Sequence, residues 1–264
     1  MFSTVTATRF IRQMSSGRTK PCLLGCVTEG NEEIEVVTKL ASNCDRKQDS
    51  LIVESIATML ASDLDLQVPE PFLVKIEDEF VQSIADPHIM GVFRQNLGFA
   101  FGSRLLTGGY STWPNNRQFP HAMMQSIAEI FAFDLMVLNP DRRPDNPNLL
   151  HKGDDLVIYD YELALIVDGM IGIKPLWEMD EFTDLSQVAQ RHIGYASLKG
   201  SAVNFDRFIG AFESIDETRL QSYKRALPEE WLINEASVNG VLDYLWNLRN
   251  NIRKSLDHIL RVIQ

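Results

Sequence analysis

The order of apolar and polar residues divides the chain into a strand-rich first part and a helical second part. Residues 4–14 predict a strand or a short helix, and 22–27 and 34–40 predict two strands joined by a tight turn. Apolar residues at helical spacing then predict a helix over 50–64, with Ser50 as its N-cap. Further strands are expected at 72–76 and 89–93.

The second part begins where glycine and aromatic residues mix, between residues 95 and 105, and this composition indicates a crossover between domains. We therefore expect one domain over 1–100 and another over 101–264. The second contains a buried helix and then two short strands around a polar turn. After these strands, helices are predicted at 184–192, 204–213, 216–226, 228–234 and 237–262. The pattern as a whole indicates an α+β protein.

Composition and charge narrow the possible functions. The chain has 264 residues, of which 45% are hydrophobic, so a sizeable core is expected. A net charge of −11 argues against general nucleic-acid binding and against anionic membranes, since both depend on basic surface. No apolar run reaches the roughly 18 residues of a membrane span, and the N-terminus lacks a signal-peptide pattern. A cytoplasmic location is the expectation.

The cysteines give no sign of a disulfide framework or of a metal site. There are three of them, an odd number, at Cys22, Cys26 and Cys44. Cys22 and Cys26 have no second Cys or His pair at ligand spacing. We expect buried, reduced thiols.

The most informative segment is NPDRRPDNPN, residues 139–148, which follows the strongly apolar run 127–138. Proline residues stiffen this loop, which carries Asp141 and Asn146, while Asp160 ends the second of the two short strands. Two carboxylates and a carboxamide would then converge, and hard oxygen ligands of this kind suit Mg²⁺. Phosphoryl transfer needs the same set. The alternative is an ordinary surface turn, because Asp, Asn and Pro are common turn residues.

Three features of the first domain allow both a structural and a functional interpretation. Lys39 ends a predicted strand, where a lysine is usually solvated but where a kinase places its phosphate-binding lysine. Glu54 is either a solvent-facing helical residue or the partner that orients Lys39. The polar loop 15–21 is either an ordinary mobile loop or a cover for phosphates made by backbone N–H groups.

The order of these parts resembles the HipA-like kinases, a bacterial branch of the protein-kinase-like fold that is also similar to phosphatidylinositol 4-kinase-like enzymes. The resemblance rests on the SGRTKP loop, the strand ending in Lys39, the segment LIVESIATMLASDLDLQVPEPFLV, and NPDRRPDN followed by LVIYDYELAL. It extends over about residues 10–166. It implies a bilobal fold with a β-rich N-lobe and a helical C-lobe, and a kinase that uses ATP and Mg²⁺.

The resemblance also implies residue roles. Asp141 would be the catalytic Asp that positions the acceptor hydroxyl, and Asn146 and Asp160 would hold Mg²⁺. Lys39 would contact the nucleotide phosphates and pair with Glu54. The remaining implied cofactor contacts are the backbone of Gly17, Arg18 and Thr19 over the nucleotide and a hinge over 98–104, including Phe101, beside the adenine.

Other roles follow less directly from the resemblance. Ser15, Ser16 and Thr19 are candidates for autophosphorylation, as in some toxin members of the family. Arg142 is expected either near the transferring phosphate or in a structural salt bridge. The chain is shorter than the full-length toxin kinases, and no His precedes Asp141 as in eukaryotic protein kinases.

Three functions remain open at this point. The first is a kinase acting on a Ser or Thr of a protein, or on a small-molecule acceptor. The second is a catalytically weak pseudokinase that binds a partner protein in regulation, toxin–antitoxin pairing or defence. The third is a metal-dependent hydrolase built on Asp141, Asp145, Asp154 and Asp155.

Overall fold

The computed structural model describes residues 2–15, 17–115, 117–166, 175–179 and 182–264. The chain forms two compact units. The first comprises Met1–Ser55, Pro69–Thr107 and Arg225–Ile233. The second comprises Ile56–Val68, Gly108–Lys224 and Asn234–Gln264. The predicted division into domains 1–100 and 101–264 stays a prediction.

Strands concentrate in the first unit and helices in the second. The strands are β1 (Ser3–Gln13), β2 (Cys22–Thr28), β3 (Glu33–Lys39), β4 (Pro71–Ile76), β5 (Gly98–Arg104), β6 (Ser111–Thr112), β7 (Leu149–Lys152) and β8 (Asp155–Ile158). The α-helices are α1 (Gln48–Asp63), α2 (Asp78–Gln82), α3 (Pro87–Arg94), α4 (Met124–Met136), α5 (Phe182–Ala189), α6 (Tyr195–Leu198), α7 (Asp206–Glu213), α8 (Glu217–Arg225), α9 (Glu235–Asn250) and α10 (Ile252–Ile263). Short 3₁₀ helices occupy Ala41–Asn43, His121–Met123, Leu176–Glu178 and Glu229–Asn234.

The first unit is a closed barrel with the strand order β1-β2-β3-β5-β4. The β1–β4 pair that closes it is parallel, and the other pairs are antiparallel. Side chains alternate along β3, so Val36 and Thr38 point into the barrel while Val37 and Lys39 lie on the other face. The predicted hairpin of β2 and β3 is confirmed.

Gly102 fits the barrel because the interior at this point has no room for a side chain. A Cβ atom at this position would lie 2.5 Å from the side chains of both Val36 and Val74. Both valines are fully buried, so neither can move into solvent. The glycine that suggests a crossover in the sequence therefore serves close packing between strands.

Two predictions for this unit are wrong. Residues 98–104 form β5, a central strand paired with β3 and β4, and not a crossover. Residues 89–93 belong to the helix α3 and not to a strand. Asp86 caps this helix by accepting hydrogen bonds from the backbone N–H groups of His88 and Ile89, and Pro87 stands in its first turn, where proline is favoured.

Helix boundaries differ from the predicted ones for local reasons. Helix α1 begins at Gln48, so Ser50 lies inside it and is not its N-cap. The long helix predicted over 237–262 is divided between α9 and α10 at Asn251, whose φ/ψ of −120°/19° is not helical. The apolar stripe nevertheless continues through α10, where Leu256, Ile259 and Ile263 are buried.

The second unit contains the sheet β6-β7-β8, in which all pairs are antiparallel. Helix α4 is buried along almost its whole length and includes two acidic residues, Glu129 and Asp134. The described helices include none long and apolar enough to cross a membrane.

The segment Arg225–Ile233 joins the first unit at the start of β5. The Glu230 Oε1 atom accepts a hydrogen bond of 2.8 Å from the backbone N–H of Phe99, and the Trp231 Nε1–H donates to the Phe99 carbonyl at 3.3 Å. Both backbone polar groups of Phe99 thus form hydrogen bonds to side chains of this segment. Gly98 has φ +99°, and the Glu230 carboxylate occupies the space that a side chain at Gly98 would need.

Replacing Gly102 with Ala should destabilise the protein, because the added methyl would overlap Val36 and Val74. Overpacking of this kind costs about 1–3 kcal/mol. Gly91→Ala, inside α3 and with open space around the glycine, should instead stabilise the helix by about 0.5–1 kcal/mol. Urea unfolding of both variants measures the difference; equal stabilities would contradict the proposed packing at Gly102.

Candidate active site

The loop between α4 and β7 brings together Asp141, Asn146 and Asn148. The Asn146 amide nitrogen donates to Asp141 Oδ2 at 2.7 Å, and the Asn148 amide nitrogen donates to the same oxygen at 3.4 Å. Arg143 and Asn146 exchange two backbone hydrogen bonds of 3.0 Å, which close a narrow turn around Pro144 and Asp145. This turn places Asn146 beside Asp141 although five positions separate them in the sequence.

Asp160 follows β8 in a left-handed conformation, with φ +69°. Burial raises the pKa of Asp141, and the negative charge of Asp160 raises it further, although Arg143 acts in the opposite direction. The two carboxylates are therefore near enough to interact electrostatically. Two of the residues predicted to converge, Asp141 and Asn146, are thus in contact, and Asp160 adds a negative charge that acts on Asp141.

The oxygen atoms of this site suit a hard divalent cation. The hydrogen bond from Asn146 to Asp141 uses the amide nitrogen, which leaves the amide oxygen as the group that can bind a metal. Together with the Asp160 carboxylate it gives the small set of oxygen ligands that Mg²⁺ takes when phosphate and water complete its shell. The donors present therefore fit the predicted metal.

Among the described residues, the carboxylates proposed for a hydrolase do not form a cluster with Asp141 that could hold a metal ion. Asp154 and Asp155 are exposed at the turn between β7 and β8, and Asp145 pairs with Arg143 at 3.2 Å. Within the part of the chain that the structure describes, no group of three or more His, Cys, Asp or Glu side chains is placed to hold a metal ion. The hydrolase hypothesis thus gains no support.

Arg142 is fully buried and forms a structural ion pair, the second of its two expected settings. Its Nε and Nη2 atoms donate to the carboxylate of Asp134 in α4 at 2.5 and 3.1 Å. The side chains of Asn139 and His192 contact the same carboxylate at 2.7 and 3.0 Å. Burial alone raises the pKa of Asp134, but the charge of Arg142 and the hydrogen bonds from His192 and Arg142 outweigh it, so the pKa lies below its usual value.

In the first unit, Lys39 and Glu54 form a buried ion pair. The Lys39 Nζ atom lies 2.8 Å from Glu54 Oε2, and the side chains are 10% and 3% exposed. The solvated interpretations of both residues are therefore wrong. Helix α1 presents Glu54 to the end of β3, which fixes the direction of the lysine side chain.

Phe101 lies beside Lys39 in the barrel wall. The two residues are directly paired between β5 and β3, so their side chains share one face, together with Val37. The Phe101 ring is buried and meets the ring of Phe2 edge-on at 6.1 Å between centroids.

The predicted phosphate loop connects β1 to β2. Its ends are joined by a hydrogen bond of 2.8 Å from Met14 N to the Pro21 carbonyl, and Gly17 has φ +98°. Arg18 forms an exposed ion pair with Asp45 at 2.6 Å. Thr19 is buried.

The candidate phosphorylation sites differ in accessibility. Ser15 is exposed, whereas burial of Thr19 places its hydroxyl away from the surface. Ser16 lies outside the described residues. Of the two described candidates, Ser15 is thus the accessible one.

The three cysteines are free and buried, as predicted. Burial raises the pKa of Cys22 to about 11 and that of Cys26 to about 12, so both are unreactive thiols at neutral pH. Cys22 and Cys26 belong to the barrel interior.

Each unit thus brings together one part of the predicted set. The second unit groups Asp141, Asn146 and Asp160, and the first groups Lys39, Glu54 and Phe101. Sequence reasoning missed Asn148, Asp134 and His192. A signal existed for Asp134, since a lone carboxylate inside the apolar run 127–138 requires a buried partner.

Comparison with solved structures shows a kinase-like fold. A crystal structure of the proinflammatory kinase CtkA of Helicobacter pylori is 13% identical to this chain, and the match covers 99% of this chain and 100% of that one with a TM-score of 0.56. The Golgi casein kinase is 9% identical over 97% of this chain and 74% of its own, with a TM-score of 0.49. The comparison with curated proteins gives no match.

These distant structural similarities show the fold alone, whereas a family model shows the family to which the chain belongs. The model described as HipA-like kinase matches residues 7–259. This range includes most of both units and every residue of the candidate site. The chain therefore belongs to the HipA-like kinase family.

Proposed function

We propose that the protein is an ATP- and Mg²⁺-dependent kinase that transfers the γ-phosphoryl group to a hydroxyl, on a Ser or Thr of a protein. The observation that carries this proposal is the grouping of Asp141, Asn146 and Asp160 in a chain of the HipA-like kinase family. A carboxylate for the acceptor and two oxygen ligands for a metal are among the parts that phosphoryl transfer requires of a protein.

Asp141 has the environment of a group that orients a hydroxyl. Asn146 and Asn148 both donate to Oδ2, and Arg143 lies 3.4 Å from Oδ1, so the carboxylate is held on more than one side. Its side chain remains 22% exposed, which leaves access for an acceptor. In the proposal Asp141 accepts a hydrogen bond from the acceptor hydroxyl and takes up its proton as the new O–P bond forms, while the bond between the γ-phosphorus and the bridging oxygen breaks and ADP leaves.

Asn146 and Asp160 are proposed to hold Mg²⁺ through their side-chain oxygens. A magnesium ion bound there would neutralise charge on the nucleotide phosphates. Contacts within the chain orient both proposed metal ligands. The hydrogen bond to Asp141 sets the orientation of the Asn146 amide, and the backbone conformation after β8 sets that of Asp160.

Lys39 is proposed to contact the nucleotide phosphates. A buried lysine without its carboxylate would be strongly disfavoured as a cation, so the role of Glu54 is to keep the charge in place. Replacing a buried ion pair by apolar residues is often neutral or stabilising, so its presence here is weak evidence for stability. A functional requirement for the cation explains it better.

The remaining assignments complete the proposal. The strand-rich domain 1–100 would be the N-lobe and the helical domain 101–264 the C-lobe. The backbone of Gly17, Arg18 and Thr19 would cover the nucleotide, with Phe101 near its base. The partners would be the phospho-acceptor, protein or small molecule, and a possible partner protein, in the cytoplasm and without general nucleic-acid or membrane binding.

Asp160→Ala should reduce phosphate transfer from labelled ATP by at least about 100-fold, because charge stabilisation on the phosphates is the main contribution in this chemistry. Asp154→Ala is the matched control, since this exposed carboxylate lies only six residues before Asp160, in the turn between β7 and β8. The control should retain the wild-type rate. Equal background signal from wild type and Asp160→Ala would refute the kinase activity.

If the wild-type protein transfers no phosphate, calorimetry with ATP and Mg²⁺ distinguishes two explanations. Binding of nucleotide without transfer would favour the pseudokinase, and a protein that binds no nucleotide would favour a regulatory partner on the same scaffold. Binding by the wild type, weakened in Asp160→Ala when Mg²⁺ is present, is the result expected for the kinase.

Lys39→Met should both abolish transfer and lower the free energy of unfolding by about 3 kcal/mol, because it leaves Glu54 buried without its cation. Adding Glu54→Leu should restore most of the stability but not the activity. Lys75→Met is the control: Lys75 also lies on a strand and pairs with a glutamate, Glu77, at 2.6 Å, but in an exposed position. Chemical unfolding and the transfer assay measure the two effects.

The double variant is decisive for the role of the pair. A Lys39→Met/Glu54→Leu protein that is stable and still transfers phosphate at the wild-type rate would show that the pair is structural. A large loss of stability or activity in Lys75→Met would mean that the assay responds to strand lysines in general.

A further inference from the structure

We propose that Arg142 is a positioning residue that fixes Asp141 and Asp160 relative to each other. This inference rests on the proposed kinase function and adds to it a residue that touches neither nucleotide nor acceptor. The guanidinium is fully buried and lies where three chain segments meet: helix α4, the end of the loop 139–148, and the residue before Asp160.

Every nitrogen of the guanidinium is used. Nε and Nη2 donate to the Asp134 carboxylate, while Nη1 donates to the backbone carbonyls of Asn148 and, at 3.2 Å, Tyr159. The planar fork of an arginine can make these contacts together, whereas a lysine has a single nitrogen on a flexible stem. The pattern thus depends on the shape of the group as well as on its charge.

The two accepting carbonyls lie at strained points of the backbone. Asn148 itself has φ +42°, and Tyr159 directly precedes Asp160, which has φ +69°. Left-handed conformations in residues other than glycine cost about 1–3 kcal/mol and persist where surrounding contacts hold them. Arg142 supplies such contacts at both points, and these are the points where the chain enters β7 and where it leaves β8.

Asp134 extends the same network to Asp141. Its Oδ1 atom accepts from the side chain of Asn139 at 2.7 Å, and the Asn139 Oδ1 atom accepts from the backbone N–H of Asp141 at 3.2 Å. The carboxylate on α4 is therefore connected to Asp141 through Asn139 and to Asp160 through Arg142. The buried pair of Asp134 and Arg142 thus sets the position of both proposed functional carboxylates.

His192 secures the network from the following segment. The backbone N–H of Gly194 donates to His192 Nδ1 at 3.0 Å, so the ring proton is on Nε2 and is donated to Asp134 Oδ2. Burial lowers the pKa of His192, which favours this neutral form. The N–H of Ile193 also donates to the Arg142 carbonyl at 3.0 Å, so the backbone of Arg142 is held as well as its side chain.

The test is Arg142→Lys, which keeps the charge and removes the fork. We expect kcat for phosphate transfer to fall about 100-fold, as for a displacement of about 1 Å at a reacting group, with the KM for ATP nearly unchanged. Hydrogen exchange in peptides covering 139–148 and 157–161 should become faster. Arg219→Lys is the matched control, because Arg219 makes an equally bidentate pair with Asp63, both contacts being 2.6 Å, at an exposed site.

The outcomes separate this inference from the proposed function. A folded Arg142→Lys protein with wild-type kcat and unchanged exchange overturns the positioning role, and so does a lower melting temperature with unchanged kcat per folded molecule. A wild-type protein without transfer refutes the kinase proposal instead. Exchange then decides the inference alone: faster exchange in both peptides supports the placement of the two segments by Arg142, and unchanged exchange overturns it.

A second variant covers the case in which Arg142→Lys does not fold. His192→Gln leaves the Arg142–Asp134 pair in place and removes the imidazole, with its contacts to Asp134 and to the backbone N–H of Gly194. It should lower kcat in the same direction but by a smaller factor, again with little change in KM. Unchanged kcat and unchanged exchange in this folded variant would overturn the inference.

Discussion

A charge buried in a protein must be matched, and the loop 139–148, which carries part of the candidate active site, is built around that requirement at Asp134. Asp134 is itself fully buried and stands in a helix whose other side chains are mostly apolar and buried, so water does not solvate the carboxylate. Asn139, Arg142 and His192 together provide four hydrogen bonds to its two oxygens. Because two of these donors belong to the loop after the helix, satisfying the carboxylate also determines how that loop folds.

The same requirement acts on Lys39 and Glu54 in the first unit. Neither charge would be stable in its buried position alone, and the pair fixes the end of β3 to α1. The contrast with Arg18 and Asp45 is informative, because that pair has a short distance of 2.6 Å but side chains 61% and 59% exposed. Solvent weakens an exposed pair to a marginal contribution, so Arg18 constrains its loop far less than Glu54 constrains Lys39.

The sequence predicted those parts whose signals are local. The β2–β3 hairpin, the buried helix before residue 139 and the meeting of Asp141 with Asn146 follow from turn residues, periodicity and a stiff loop. The strand at 98–104 does not follow from local signals, because glycine taken by itself indicates a loop. Only the packing across the barrel shows why β5 needs a glycine at position 102. The error at 89–93 was avoidable, since Asp86 followed by Pro87 is a local signal for a helix start.

Adjacent arginines show most clearly where sequence reasoning ends. Arg142 and Arg143 occupy one motif and carry the same charge, yet the first is fully buried on Asp134 and the second is 40% exposed beside Asp141 and Asp145. Their difference comes from the direction of the chain after Pro140, which no residue type encodes by itself. What the sequence does contain is the partner: a carboxylate within an apolar helix requires a cation that can reach it, and Arg142 is eight positions on. That requirement predicts a buried cation close to Asp134, while the choice of Arg142 over Arg143 depends on the fold.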